Sequence, residues 1–331
     1  MTTRSLATIP RLSAARLSAS FTAIVILVLG STTARAASYV ITDLGTLGGN
    51  SSVGYGINDS GQVTGYVDLN ALEQRAFLYD GTTMQDLGTL GGSSSIGHGI
   101  NNTGQVTGYS SLNAFEQRAF LYDGTTMQDL VTLGGSSISA GYGINDSGQV
   151  TGYSFLNAIE QRAFLYDGTT MQDLGTLGGN TSVGHGINDS GQVTGWTYLT
   201  GPLEQRAFLY DGTTMQGLGT LGGNSSVGHG INGSGQVTGW SYLTGPLDQH
   251  AFLYTSGGGM VDLNSLIDPL SGWVLIEGRG INDAGQITGI GTIAGEAHAF
   301  LLTPVPEPGT LALAGLALMA LIGSNRRRTR I

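Results

Sequence analysis

The feature that most constrains this chain is a unit written six times. The motif Gly-Ile-Asn-x-x-Gly-Gln-[Val/Ile]-Thr-Gly begins at Gly56, Gly99, Gly143, Gly186, Gly230 and Gly280, at spacings of 43, 44, 43, 44 and 50 residues. A second motif, Ala-Phe-Leu-[Tyr/Leu], recurs in step at Phe77, Phe120, Phe164, Phe208, Phe252 and Phe300. A period of this length means one supersecondary unit repeated, each copy burying its apolar face against its neighbours. The units are full of Gly and β-branched residues and lack a 3.6-residue apolar period, which excludes helical repeats.

The first unit reads as four strands, over residues 55–58, 62–67, 74–79 and 83–87. Asn58-Asp59-Ser60-Gly61 is turn chemistry, with Gly61 free to take positive φ. In the third strand Phe77 and Tyr79 face one way and Ala76 and Leu78 the other, so both faces are apolar, as in a strand covered on both sides. Asp80-Gly81 is a hairpin signal. Four antiparallel strands per unit of this size match a propeller blade. Residues 39–44 (Tyr-Val-Ile-Thr-Asp-Leu) resemble a fourth strand and residues 298–302 (His-Ala-Phe-Leu-Leu) a third strand. The expectation is therefore an all-β, six-bladed β-propeller of six four-stranded repeats, closed by pairing of its N- and C-terminal strands. A β-solenoid is the alternative; it would leave sheet edges exposed.

Composition narrows the function. Gly accounts for 56 of 331 residues, Pro for 7 and Cys for none. Without a G-X-Y period this is not collagen. Without Cys it holds no disulfide framework and no Cys-ligated metal. The chain has no Lys, and its 13 basic residues are all Arg. Eight of these lie in the two ends, leaving Arg75, Arg118, Arg162, Arg206 and Arg279 against 22 of the 23 acidic residues. An acidic body of this kind is a poor nucleic-acid binder, which needs clustered basic residues.

The ends read as targeting segments, dividing the chain into residues 1–36, 37–303 and 304–331. In the first, three Arg precede the apolar run 21–29, and Ala34-Arg35-Ala36 offers a small-x-small cleavage site at Ala34 and Ala36, the layout of a secretory signal peptide. The apolar run is shorter than the about 20 residues that span a bilayer. In the last, Pro306-Glu307-Pro308 precedes an apolar stretch over 311–322 and the cluster Arg326-Arg327-Arg328. The prolines keep the motif extended, and the Arg cluster would hold the tail's end in the cytoplasm. This arrangement resembles the PEP-CTERM sorting signal of Gram-negative bacteria. The resemblance implies export, recognition by an exosortase-type sorting enzyme, cleavage near Pro306-Glu307-Pro308, and transfer from a transient inner-membrane precursor to the surface or matrix. A plain C-terminal membrane tail is the competing reading.

The repeats themselves, Gly-Ile-Asn-Asp-x-Gly-Gln-[Val/Ile]-Thr-Gly and Ala-Phe-Leu-Tyr-x-x-Gly-x-Met-x-Asp-Leu, resemble the HAF family of extracellular repeats over roughly residues 39–302. The His-Ala-Phe triplet stands at His250-Ala251-Phe252 and His298-Ala299-Phe300; four units carry Arg in place of its His. The family implies export and repetition and brings no catalytic residues.

Several recurring side chains are candidate site residues. His98, His185 and His229 share a repeat position with Tyr55, Tyr142 and Arg279, so a three-imidazole metal site is less apt than packing. The pairs Glu73/Arg75, Glu116/Arg118, Glu160/Arg162 and Glu204/Arg206 recur too often to be one active site and read as surface ion pairs. The turn acids Asp59, Asp146, Asp189 and Asp283, with the fourth-strand acids Asp43, Asp86, Asp129, Asp173 and Asp262, are a candidate Ca²⁺ set, but Asx-turn bonding accounts for the turns. No cofactor is expected. Trp196 with Tyr198, and Trp240 with Tyr242, precede the longest variable loops and are candidate sugar-stacking residues, with blade packing as the alternative. The expectation is an exported cell-surface or matrix-associated structural or binding protein. It is not an enzyme, and its partners are the secretion machinery, the sorting enzyme and exopolysaccharide. A carbohydrate-binding, lectin-like propeller is the alternative.

Overall fold

A computed structural model describes residues 42–201, 204–244 and 248–305. By contacts the chain divides into a unit Met1–Asp43, described at Thr42 and Asp43 alone, and a unit Leu44–Ile331, which holds every described strand. The signal segment with Ala34 and Ala36, residues 39–41, and the tail motif Pro306-Glu307-Pro308 lie outside the described residues.

The first repeat gives β1 (Ser51–Ile57), β2 (Val63–Asn70), β3 (Glu73–Tyr79) and β4 (Met84–Asp86). The second gives β5 (Ser95–Ile100), β6 (Val106–Ser111), β7 (Gln117–Tyr122) and β8 (Met127–Asp129). The third gives β9 (Ser139–Ile144), β10 (Val150–Phe155), β11 (Gln161–Tyr166) and β12 (Met171–Asp173). The fourth gives β13 (Gly178–Ile187), β14 (Val193–Leu199), β15 (Gln205–Tyr210) and β16 (Met215–Gly217). The fifth gives β17 (Gly222–Ile231), β18 (Val237–Leu243), β19 (Gln249–Thr255) and β20 (Gly259–Asp262). The sixth gives β21 (Trp273–Ile281), β22 (Ile287–Ile293) and β23 (Glu296–Leu302). Pairing between consecutive strands of a repeat is antiparallel throughout.

The all-β reading holds, but the expected architecture is corrected. Among the described residues four blade sheets carry four or more strands: β1–β4, β5–β8, β17–β20, and one eight-stranded sheet that joins β9–β12 to β13–β16. The join is a parallel contact, Gln161 opposite Thr181, made because β13 starts early, at Gly178. The last sheet stops at three strands, and β23 pairs with β22 alone. Residues 42–44, the described part of the anticipated closing strand, are not in a strand. The molecule is therefore a propeller arrangement of four blade sheets, neither six-bladed and sealed by its termini nor a solenoid. A solenoid would stack its repeats along a line, whereas here the Ile-Asn pairs of all six repeats converge on one cavity.

Two local devices build each repeat. The first is a bulge in the first strand pair. Gly54 faces Gly65 and Gly56 faces Thr64, so Tyr55 has no partner; the shift recurs around His98, Tyr142, His185, His229 and Arg279. A bulge bends the strand and re-aims the extra side chain. The glycines permit it, because a Cβ on Gly152 would overlap the carbonyl oxygen of Ala140. The second device is shared burial. Ala76, Leu78 and Leu87 of the first repeat pack with Val106, Phe120 and Tyr122 of the second, and three further junctions repeat this recipe. Phe77, Phe120, Phe164, Phe208 and Phe252 are essentially fully buried, each placing about 3–5 kcal/mol at risk on truncation to Ala. The hydrophobic core thus lies between repeats, not within them.

Candidate functional site

The motif Ile-Asn-x-x-Gly-Gln closes the turn after each first strand. In the first repeat Asn58 Oδ1 accepts from the backbone N–H of Ser60 (3.1 Å) and of Gln62 (3.0 Å). Its Nδ2 donates to Gln62 Oε1 at 2.8 Å and, beyond its own repeat, to the backbone carbonyl of Asn101 at 2.9 Å. Asn101 reaches Asn145, Asn145 reaches Asn188, Asn188 reaches Asn232 and Asn232 reaches Asn282 in the same way, at 2.9–3.1 Å. Each amide is saturated, and together they stitch consecutive repeats at one end of the axis.

These turns ring a cavity of ≈ 320 Å³, with Ile57, Ile100 and their equivalents as its apolar lining and Asp59, Asn102, Asp146, Asp189, Gly233 and Asp283 at the polar positions. The acids proposed as a Ca²⁺ set are engaged in the same stitching. Asp146 Oδ1 accepts from the N–H of Asn102 (2.9 Å), Asp189 Oδ1 from that of Asp146 (3.0 Å) and Asp283 Oδ1 from that of Gly233 (2.7 Å). Among the described residues no group of three or more His, Asp or Glu side chains is arranged to hold a metal ion.

The re-aimed bulge residues form a chain of rings about the axis. Tyr55, His98 and Tyr142 follow at 5.1 and 5.0 Å, and Tyr142 meets His185 at 5.7 Å. His185 then stacks on His229 at 5.0 Å with the planes 11° apart. Burial lowers His98 to about 4; burial, then the neighbouring His229, brings His185 to about 4 as well. Burial raises the Tyr142 hydroxyl to about 12. His229 Nε2 lies 3.1 Å from Glu277 Oε1, and Arg279 Nε lies 3.1 Å from the same oxygen. The imidazole approaches the carboxylate without the alignment of a strict hydrogen bond. The His229 contact holds the Glu277 carboxyl below its ordinary range. Thus the three histidines do come together along one arc, but with rings face to face or edge to face rather than with nitrogens converging.

Of the four Glu-x-Arg pairs, two close as ion pairs among the described residues. Arg118 and Arg162 meet Glu116 and Glu160 at 3.3 and 3.4 Å. Arg75 and Arg162 also lean on the fourth-strand acids Asp86 and Asp173, at 3.9 and 3.7 Å, and donate to the carbonyls of Ser93 and Asn180 in the following segment. His250 does the same with Asp262 at 2.7 Å.

The sugar-stacking candidates sit on β14 and β18. Trp196 contacts Tyr198 with centroids 5.1 Å apart and planes at 69°, and Trp240 contacts Tyr242 at 5.2 Å and 60°. All four rings are partly buried. The loops after them, at residues 202–203 and 245–247, lie outside the described residues. What sequence reasoning missed is the asparagine stitching and the histidine stack. The signal was present in the invariance of Asn58, Asn101, Asn145, Asn188, Asn232 and Asn282 across six copies.

Residues 304–328 match the PEP-CTERM protein-sorting motif. This PEP-CTERM segment begins where the described fold ends and contains Pro306-Glu307-Pro308. No curated protein sequence matches the chain. Among solved structures, the β-propeller domain of the Trilobed protease from Pyrococcus furiosus, with its open velcro topology, is similar at a TM-score of 0.53 and 9% identity, over 76% of this chain and 83% of that one. The putative TolB from Agrobacterium tumefaciens is similar at 0.48 and 14% identity, over 77% of this chain and 90% of that one. The fucose-specific lectin from Aleuria aurantia reaches 0.36 at 15% identity, over 63% and 75%. At 9% identity the likeness to the Trilobed protease domain concerns the propeller fold alone.

Proposed function

We propose that this chain is exported, processed by an exosortase-type enzyme, and finally held at the cell surface or in the extracellular matrix, where it has a structural or binding role. The PEP-CTERM match over residues 304–328 carries the reading. The HAF-like repeats and the secretory layout of residues 1–36 point the same way. A non-enzymatic role fits a body whose polar groups recur in every repeat instead of forming one distinct constellation. The test is the fate of the tail. Deleting residues 304–331 should release a soluble product, and replacing Pro306, Glu307 and Pro308 by Ala should trap the precursor at the membrane. A triple variant that leaves the membrane as the parent does would reduce the tail to a simple anchor.

A second reading, a lectin-like propeller, rests on the paired rings Trp196/Tyr198 and Trp240/Tyr242. Partly exposed aromatic pairs of this kind can stack on sugar faces. Glycan-array binding lost in the Trp196→Ala/Trp240→Ala variant would favour it, and absence of any binding by the parent would remove it.

A further inference from the structure

Five junctions between consecutive repeats bring the same two surfaces together. At the first, Leu78 is covered by the second repeat, with Ile100 of that repeat packed on the cluster. Thr64 Oγ1 sits so close to Gly97 that a Cβ there would overlap it; Thr107 and Gly141, and Thr238 and Gly278, repeat the fit. Gln85 also donates across the junction to the Tyr122 hydroxyl at 2.9 Å.

The first repeat carries the receiving half of this junction and the last repeat the delivering half, and neither is used. Leu301 is 65% exposed, whereas Leu78, Leu121, Leu165 and Leu209 are 8–9% exposed. Ile57 is 70% exposed, whereas its equivalents Ile100, Ile144 and Ile187 pack on the preceding repeat. Gly54 meets Val63 of its own repeat and no threonine. Asn282 Nδ2 donates to Gln286, with no carbonyl of a following repeat within its described bonds. Among the described residues, the outer edge of β23 lacks the fourth strand that borders β3, β7, β11, β15 and β19.

We propose that these two end faces join copies of this chain head to tail, the last repeat of one copy seated against the first repeat of the next. The occupant is identified by the molecule itself, because the same pair of surfaces is complementary at five internal junctions. The two faces are different patches, so the contact is heterologous and each new copy offers a fresh acceptor. Leu301 of one copy would lie by Ile57 of the next, as Leu78 and Ile100 share one cluster.

The chain has no Cys, so introduced thiols report on a clean background. Ile57→Cys and Leu301→Cys would be made separately and together in the full chain, purified in mild detergent, and oxidised with copper–phenanthroline. The expected result is a disulfide-linked dimer when the two single variants are mixed, little dimer from either alone, and a ladder of dimers and higher species from the double variant. Adding Glu296→Ala, distant in register from the contact, should leave the yield unchanged, whereas Thr288→Arg at the delivering face should lower it at least tenfold. A double variant that closes on itself as a cross-linked monomer, with no dimer from the mixture, would assign the two faces to each other within one copy and overturn the proposal. So would the absence of any cross-link.

Discussion

A single bulged residue per repeat decides what reaches the axis of this propeller. Because Tyr55, His98, Tyr142, His185 and His229 are skipped by the strand register, they stack on one another instead of pairing across the sheet. Their burial has a consequence in acid. The imidazoles of His98 and His185 titrate near 4 in the folded chain against an ordinary 6.5. Between those values the unfolded chain binds more protons, so stability rises with pH there and is lost as pH falls from about 6.5 towards about 4. The loss is on the order of 2–3 kcal/mol for each imidazole. Urea midpoints should therefore drop between pH 7 and pH 4.5, and the His98→Gln/His185→Gln variant should flatten that dependence. Equal midpoints at the two pH values in the parent would show that the rings are hydrated. The repeat position of these residues was legible in the sequence. Their stacking was not, since it depends on a register shift that local spacing does not report.

At the level of the element, the turn after each first strand does two jobs. Its Asn fastens its own loop through Oδ1 and the next repeat through Nδ2. Asn145 bonds Ser147, Gln149 and the carbonyl of Asn188 and is buried, whereas Asn282 is exposed and bonds within its own turn. Asn145→Ala should cost about 2–4 kcal/mol, because it strands a buried carbonyl and two N–H groups. Asn282→Ala should cost clearly less. Thermal denaturation of the two variants decides it, and equal losses would mean that the crossing bonds add nothing. Asn-Asp-Ser-Gly identified the turn correctly from sequence, because turn preference is local chemistry. The partner carbonyl lies 43 to 50 residues away, and no local rule finds it. The strands were placed within a few residues for the same reason, with β1 and β2 running longer than expected because pairing extends them past the apolar positions.

For the molecule as a whole, the error lay in closure. The match between residues 39–44 and a fourth strand is real in sequence, yet whether two ends pair is a long-range question. Among the described residues β23 is an edge, and the third and fourth repeats are joined into one sheet instead. Stability should follow that asymmetry. Segments with few covered contacts open first, so amide exchange should be fastest in β1 and β23, whose residues are largely exposed, and slowest in β6, β7, β10 and β11. Uniform protection across all repeats would contradict an open seam. The sorting tail, by contrast, was readable outright, because a processing enzyme recognises a short ordered string of residues and needs no fold to present it.

The between-repeat burial has a genetic consequence. A core made of junctions built on one recipe is tolerant of number: excising one unit, or copying one, brings together two surfaces already built to fit. Unequal crossing-over within such a gene would yield chains of different length whose every internal boundary is still satisfied. The copy number of this array is thus a quantity that inheritance can adjust without first breaking the protein.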